Sequence, residues 1–385
     1  MNIIIEVYIF VCIMLLLFDI GFLVVKNIKN HKFYPKRSVF IKQVQNEFLN
    51  FEPSNGLTIE FKESLLRKIK KTKNLIALQN QLEIIEKYKE EIYSEIRPYI
   101  MEQLEVYKQK SNYEQAYYCY VISKLDIKEN DANKKFYSNF LSFLDSSSLY
   151  TFTNAMNAIY HFGNAYILTL AIDKVDERNG FYHKKLFIDG MIEFSGDNEL
   201  LHKLIIDKFK KYTPLTQESI LDYFRLKGVD ISDFCLNILK EKNLNPQVLY
   251  AGIRYFAKYP CDETKQIFID ILQNDNSNWI EQMLAIQALM KHNDNNIKKL
   301  IEAKVTDRNW YIRTNAIAYL HSHHISRNDI FNILFLKDKY ANEALLYQYK
   351  DDREMSEYII NTIQMLNKEQ FESEDLNIDL VLATV

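Results

Sequence analysis

The chain has 385 residues, 48% of them hydrophobic, so it can bury a large core; its net charge of −3, from 48 basic and 51 acidic residues, excludes a general nucleic-acid binder on bulk electrostatics. Eight glycines and six prolines are too few for turn-rich β-sandwich or Rossmann architectures, and no alternating strand pattern occurs, so the expected class is all-α. Four scattered cysteines (Cys12, Cys119, Cys235 and Cys261) form no CxxC pair, which argues against a zinc ribbon and a disulfide framework and fits a reduced compartment.

The first predicted element is a transmembrane anchor over residues 1–25. Ile3 to Val25 reads IIIEVYIFVCIMLLLFDIGFLVV, a helix long enough at about 1.5 Å per residue to cross a hydrocarbon core. Glu6 sits near its outer end. Asp19 lies about two turns from the inner end and costs roughly 3 kcal/mol if left in lipid; it snorkels, takes a proton, or contacts a partner's membrane helix. No Lys or Arg precedes the span, whereas Lys26, Lys29, Lys32, Lys36 and Arg37 follow it. The positive-inside rule therefore predicts a single-pass cell-membrane protein with its N-terminus outside and its bulk in the cytoplasm. The segment has neither the basic start nor the small-x-small end of a cleaved signal peptide, and is expected to be retained.

Residues 26–56 read as a basic juxtamembrane segment, and the stretch from 26 to 110 carries 17 Lys and Arg against 11 Asp and Glu; its second cationic run, Arg67, Lys68, Lys70, Lys71 and Lys73, reads first as a solvated helix face and second as a contact with anionic lipid. Residues 57–150 are expected to form a helical stalk or divergent repeats. Leu65, Ile69, Leu75, Leu78, Leu82, Ile85, Tyr88, Ile92 and Ile96 keep helical spacing, as hairpins or a short coiled coil that stops before Pro98.

Residues 151–350 show an internal period. A small residue followed by apolar positions recurs as Ser219-Ile220-Tyr223, Gly252-Ile253-Phe256, Ala285-Ile286-Leu289 and Ala316-Ile317-Leu320, each preceded by a second apolar helical stretch. Each unit is thus a helical hairpin. Thr213-Pro214 and Asn245-Pro246 mark starts of second helices, and the small residue is expected where helices of neighbouring repeats approach closely. Residues 351–385, with 2 basic and 9 acidic side chains, are expected to give a capping helix with Met355, Tyr358, Ile359, Ile363 and Leu366 on one face, followed by a mobile acidic tail after Glu369.

One stretch carries a family resemblance. Asp307-Arg308-Asn309-Trp310-Tyr311-Ile312-Arg313-Thr314-Asn315-Ala316-Ile317-Ala318-Tyr319-Leu320 resembles the second-helix signature of HEAT-like repeats, and the preceding unit keeps Trp279, Ala285, Ala288 and Leu289 but has Gln282 in place of the Arg. The resemblance implies an α-solenoid of antiparallel helical hairpins whose concave face holds another protein. It also implies that Asp307 and Arg313 cap a helix and bridge adjacent repeats, and that Trp279 and Trp310 pack between repeats rather than forming a stacking surface.

No reactive constellation accompanies these elements. His321, His323 and His324 lack the carboxylate or cysteine of a metal site and suit a helix terminus. There is no phosphate-cradling glycine loop, no nucleophile elbow and no singled-out carboxylate pair, so no catalytic, cofactor-binding or metal-binding residue is assigned and no cofactor is expected. The sequence predicts a membrane-anchored scaffold that binds a protein partner, itself membrane-associated, and no nucleic acid. Its layout is similar to accessory proteins of membrane glycosyltransferases in surface polysaccharide assembly. An enzyme on a HEAT-like scaffold, of DNA-glycosylase or lyase type, and a membrane signalling module working through Asp19 are the alternatives.

Overall fold

The computed structural model describes residues 2–125, 127–128, 132–178 and 182–382; the side chains of 2–6, 25–38 and 368–382 lie outside the described set, among them Glu6, Lys26, Lys29, Lys32, Lys36 and Arg37. Among the described residues the chain folds into α-helices and three short 3-10 segments, with no strand. It divides into two compact units, one made of Met1–Leu186 and Glu193–Phe209, the other of Phe187–Ile192 and Lys210–Val385.

The first unit begins with α1 (Asn2–Leu49), 48 residues and about 72 Å long. Its Val7–Val24 stretch has a mean hydropathy of 2.7 and is wholly unburied, so this segment is apolar enough to span a membrane and does not serve as a core helix of the fold. Its last turns belong to the body: Phe40 and Val44 are buried, Gln43 Oε1 accepts from Lys68 Nζ at 2.6 Å, and Glu47 Oε1 accepts from the Thr58 N–H. The helix then packs on α3.

There follow α2 (Ile59–Lys68), α3 (Thr72–Glu83), α4 (Lys89–Met101), α5 (Leu104–Lys108), α6 (Asn112–Lys124), α7 (Lys134–Phe140), α8 (Leu149–His161), α9 (Ala165–Glu177), α10 (Lys184–Glu193), shared between the units, and α11 (Asn198–Lys208). Helices α2, α3 and α4, of 10, 12 and 13 residues, are too short for a coiled coil and instead bury Leu65, Ile69, Leu78, Leu82, Ile92 and Ile96. The expected stop at Pro98 does not occur. The helix runs through it and ends three residues later at Met101, with the Glu102 N–H donating to the Pro98 carbonyl.

Aromatic residues fill this core and tie its layers. Tyr107 and Tyr118 stack at 4.6 Å, and their hydroxyls donate to the carbonyls of Ile69 at 2.8 Å and Ile100 at 3.1 Å, so each buried O–H is satisfied. After α8 the chain turns at Gly163, φ +68°, against which Gly196 packs so closely that a Cβ there would stand 1.9 Å from the Gly163 oxygen.

The second unit contains α12 (Pro214–Lys227), α13 (Ser232–Leu239), α14 (Pro246–Lys258), α15 (Lys265–Gln273), α16 (Trp279–Leu289), α17 (Asn295–Glu302), α18 (Trp310–Ser322), α19 (Arg327–Phe335), α20 (Lys339–Gln348) and α21 (Arg353–Leu382). Helices α13, α15, α17 and α19 each pair with the helix that follows, and α12, α14, α16, α18 and α20 pack side by side in one layer. Capping sets these starts. Asn245 accepts from Gln247 N–H ahead of Pro246, and Asn278 forms a capping box with Glu281, whereas Thr213 precedes Pro214 without a side-chain cap bond. Gly228, φ +82°, closes α12, with the Val229 N–H donating to the Phe224 carbonyl.

Ser219, Gly252, Ala285 and Ala316 are all buried, but the neighbour at Gly252 differs from the expectation. A Cβ there would lie 2.7 Å from Leu239 Cδ2 and 3.6 Å from Cys235 Sγ, so the close approach is to α13, the first helix of the same pair, rather than to a neighbouring repeat. Three residues after two of these small positions stand Tyr255 and Tyr319. Tyr255 Oη accepts from the Ile231 N–H and donates to the Val229 carbonyl, and Tyr319 Oη donates to the His292 carbonyl at 2.6 Å, fastening each second helix to the loop before its pair. Helix α21 covers α19 and α20 with Ile359, Thr362 and Leu366 buried; its backbone is helical to Leu382, and the expected mobile tail after Glu369 falls where side chains lie outside the described residues.

Candidate functional site

Three successive second helices begin alike. An Asx side chain caps the start: Asn278 accepts from Ile280 and Glu281, Asn309 from Tyr311, and Asp338 from Ala341. At the first or second helical position just inside each cap stands an aromatic residue: Trp279, then Trp310 and Tyr311, then Tyr340. The extended backbone of the cap turns these positions away from the apolar stripe, so the rings stay at the surface. Trp279 is 42% exposed, Trp310 57%, Tyr311 49% and Tyr340 59%.

The rings form one face. Trp279 and Tyr311 stack at 5.2 Å with planes 20° apart, Trp310 meets Tyr311 edge-on at 5.0 Å, and the Arg313 guanidinium lies over Tyr340 at 5.1 Å. Tyr250 extends the edge by accepting from Asn278 Nδ2 at 2.8 Å. An exposed aromatic cluster is a candidate interaction site, since Trp, Tyr and Arg are the residues that dominate binding energy at protein interfaces.

The first unit also displays aromatic residues at helix starts, on α6 and α8, behind serines of which Ser148 caps with its side chain and Ser111 does not. Tyr113 and Tyr150 occupy the second helical position after Ser111 and Ser148, are exposed, and with Tyr117, Tyr120 and Asn154 line an apolar groove of about 430 Å3.

The residues singled out from sequence divide into two sets. Ala285, Leu289, Ala316 and Leu320 are buried. Asp307 Oδ1 accepts from the Asn309 N–H at 2.7 Å and so braces the loop before α18; Arg313 donates from Nη1 to the Asp307 backbone carbonyl at 2.7 Å, not to its carboxylate. Arg313 reaches the next pair through Tyr340. Trp279 touches the following pair through Tyr311, but both tryptophans leave much of their surface open. Asp19 is exposed on the Val7–Val24 stretch. Tyr311 and Tyr340 are the members that sequence reasoning missed, and the signal was an aromatic immediately inside an Asx cap.

Chemistry elsewhere is muted. Among the described residues no group of three His, Cys, Asp or Glu side chains is placed to hold a metal ion. The ring of His323 stacks near Tyr319 and its Nδ1 lies 2.8 Å from the Tyr319 carbonyl, at the end of α18, while His321 packs edge-on to Tyr349. All four cysteines are free, and burial pushes the thiols of Cys119 and Cys235 up, that of Cys235 to about 12, so neither is a thiolate near neutrality. A charge cluster on α12 and α14 is structural: buried Asp222 binds Arg225 and Arg254, and Arg254 also binds Glu218. Compared with protein-family models and with curated proteins, the chain matches none of them.

Proposed function

We propose that the chain is a membrane-anchored scaffold, a HEAT-like α-solenoid that docks a protein partner on the aromatic face of α16, α18 and α20. The observation that carries this reading is the half-exposed cluster of Trp279, Tyr311 and Trp310, with half-exposed Tyr340 of the next pair lying over Arg313. Support for the solenoid comes from the second unit, where second helices contact one another in unbroken order while first helices touch sparsely, as on the inner and outer arcs of a curved stack. Support for the anchor comes from the unburied apolar Val7–Val24 stretch, continuous as helix with turns packed into the first unit.

In this reading the N-terminus is outside and the body is cytoplasmic, held near the bilayer by α1. Tethering raises the local concentration of any membrane-bound partner, so a face of modest affinity is enough for occupancy. The partner is accordingly expected to be membrane-associated, with Asp19 offering a polar contact to its membrane helix. The test is co-purification in mild detergent. A protein that elutes with the wild-type chain and is lost from the Trp279→Ala/Trp310→Ala double variant supports the reading; elution unchanged by the double variant rejects the aromatic face as the docking site.

A further inference from the structure

Arg313 carries a charge that its structural task does not require. In the preceding helix pair the matching position, three residues before buried Ala285, is Gln282, whose Nε2 donates to the Ser277 carbonyl at 3.0 Å. Arg313, three residues before Ala316, performs the same service for the Asp307 carbonyl. A neutral amide suffices at one position; a guanidinium occupies the other.

That guanidinium is also uncompensated. Only 6% of Arg313 is exposed, its Nε is enclosed without a hydrogen-bond partner, and among the described residues no carboxylate lies within ion-pair distance of it. Arg254 on α14, by contrast, reaches Asp222 at 2.8 Å and Glu218 at 3.1 Å, and Arg225 reaches Asp222 at 3.1 Å. Taking a cation out of water without a counterion is costly, and the cost has a purpose if the counterion arrives with a ligand.

The surroundings suit such an arrival. Between Ala303 and Arg313 the chain carries Lys304, Arg308 and Arg313 against the single acid Asp307, whose Oδ1 already accepts from Asn309. The capping acid of α20, Asp338, accepts from the Ala341 N–H at 2.7 Å and, among the described residues, makes no ion pair with Arg313. The remaining amino nitrogen of Arg313, Nη2, is neither bonded nor enclosed, and the Tyr340 ring over the guanidinium is itself mostly open. A carboxylate entering beside Tyr340 would meet a guanidinium that is mostly buried against that ring, where a charge-assisted bond is stronger than in water.

We infer that Arg313 is the receptor for an acidic side chain of the partner: an Asp or Glu pairs with the guanidinium while an adjacent apolar or aromatic residue rests on Trp310 and Tyr340. The inference rests on the docking reading above and adds the chemistry of what docks.

The full chain in detergent micelles is panned against a displayed library of random dodecapeptides, and the selected peptides are titrated by tryptophan emission. Trp279 and Trp310 are the two tryptophans of the chain, so a change in emission reports this face. Selected peptides are expected to carry an Asp or Glu next to an apolar residue, and its amide replacement should weaken binding by about tenfold or more. Arg313→Gln, which can keep the loop bond as Gln282 does, should weaken the acidic peptide by a similar factor and leave the amide peptide unaffected, and Arg313→Lys should restore part of the loss. Peptides that change the emission yet show no acidic preference, or bind Arg313→Gln as they bind wild type, overturn the inference and leave the docking face standing. A library that yields no binder of the face overturns both. The comparison of acid and amide peptides is read on the wild-type chain, so the decision does not depend on a variant folding.

Discussion

Trp279 and Tyr311 stack at 5.2 Å with their planes 20° apart, although they open helices of two different pairs. The contact joins α16 to α18 at the surface rather than in the core, so its contribution is small. Trp279→Ala is expected to lower stability by about 1–2 kcal/mol, a few degrees in thermal midpoint, measured by circular dichroism in detergent. A loss above about 4 kcal/mol would mean that the ring is a core element and not an exposed one.

Gly196 and Gly252 predict unequal sensitivities. At Gly196 an added methyl meets the backbone of Gly163 at 1.9 and 2.5 Å, and backbone cannot step aside. Gly196→Ala should cost about 3 kcal/mol or more in urea unfolding. At Gly252 the nearest atom is the end of the flexible Leu239 side chain at 2.7 Å, and the helix gains up to about 1 kcal/mol of propensity on the change, so Gly252→Ala should cost far less. Equal losses at both sites would contradict this packing.

Asp222, 4% exposed, is the shared counterion of Arg225 and Arg254. Asp222→Asn keeps the shape and removes the charge shared by the two guanidiniums, of which Arg254 retains Glu218. The expected loss is about 3–5 kcal/mol in chemical denaturation. A further Arg254→Met change should recover part of it, since the stranded cation is then gone; no recovery would show that the network is not electrostatically coupled.

His292 makes stability depend on pH. Burial, aided by the Lys265 charge and opposed by Asp262 at 3.4 Å from Nδ1, holds the imidazole below its ordinary value, and its Nε2 is enclosed without a partner. The unfolded chain therefore binds the proton first as pH falls. Stability is fully present above about pH 6.5, the ordinary imidazole value, and declines as pH drops through the window between that value and the lower folded one. Urea midpoints should fall between about pH 7.5 and pH 5.5, and less steeply in His292→Gln. Identical slopes in the two proteins would remove His292 from the account.

Much of this fold was legible in the sequence for a simple reason: helical period, Asx caps and prolines at first helical positions act locally. Pro246 and the small residues Gly252, Ala285 and Ala316 fall where those signals put them. Two features were not legible because they depend on what lies across a gap. The partner of Gly252 proved to be Leu239 of its own pair, a matter of tertiary distance, and α4 continued through Pro98 into a last turn where Ile100 is buried and its carbonyl accepts from Tyr118. The aromatic face was half visible. Trp279 and Trp310 stood out, but periodicity assigns a large aromatic to the core by default, and only burial distinguishes a ring packed inside from one displayed by a cap. Arg313 could be named from its signature, whereas its want of a carboxylate is a statement about every neighbour and has no sequence correlate.

The central claim is that a membrane-held helical body presents the α16–α18–α20 edge to another protein. Its most direct test places a photocrosslinking amino acid at position 310 in intact cells and, as a control, at position 299, which is exposed on α17 in the other layer of helices. The account predicts a discrete protein adduct from position 310, recovered in the membrane fraction, and none from position 299. Adducts of equal yield at both positions, or an adduct-free chain released to the soluble fraction, would contradict it.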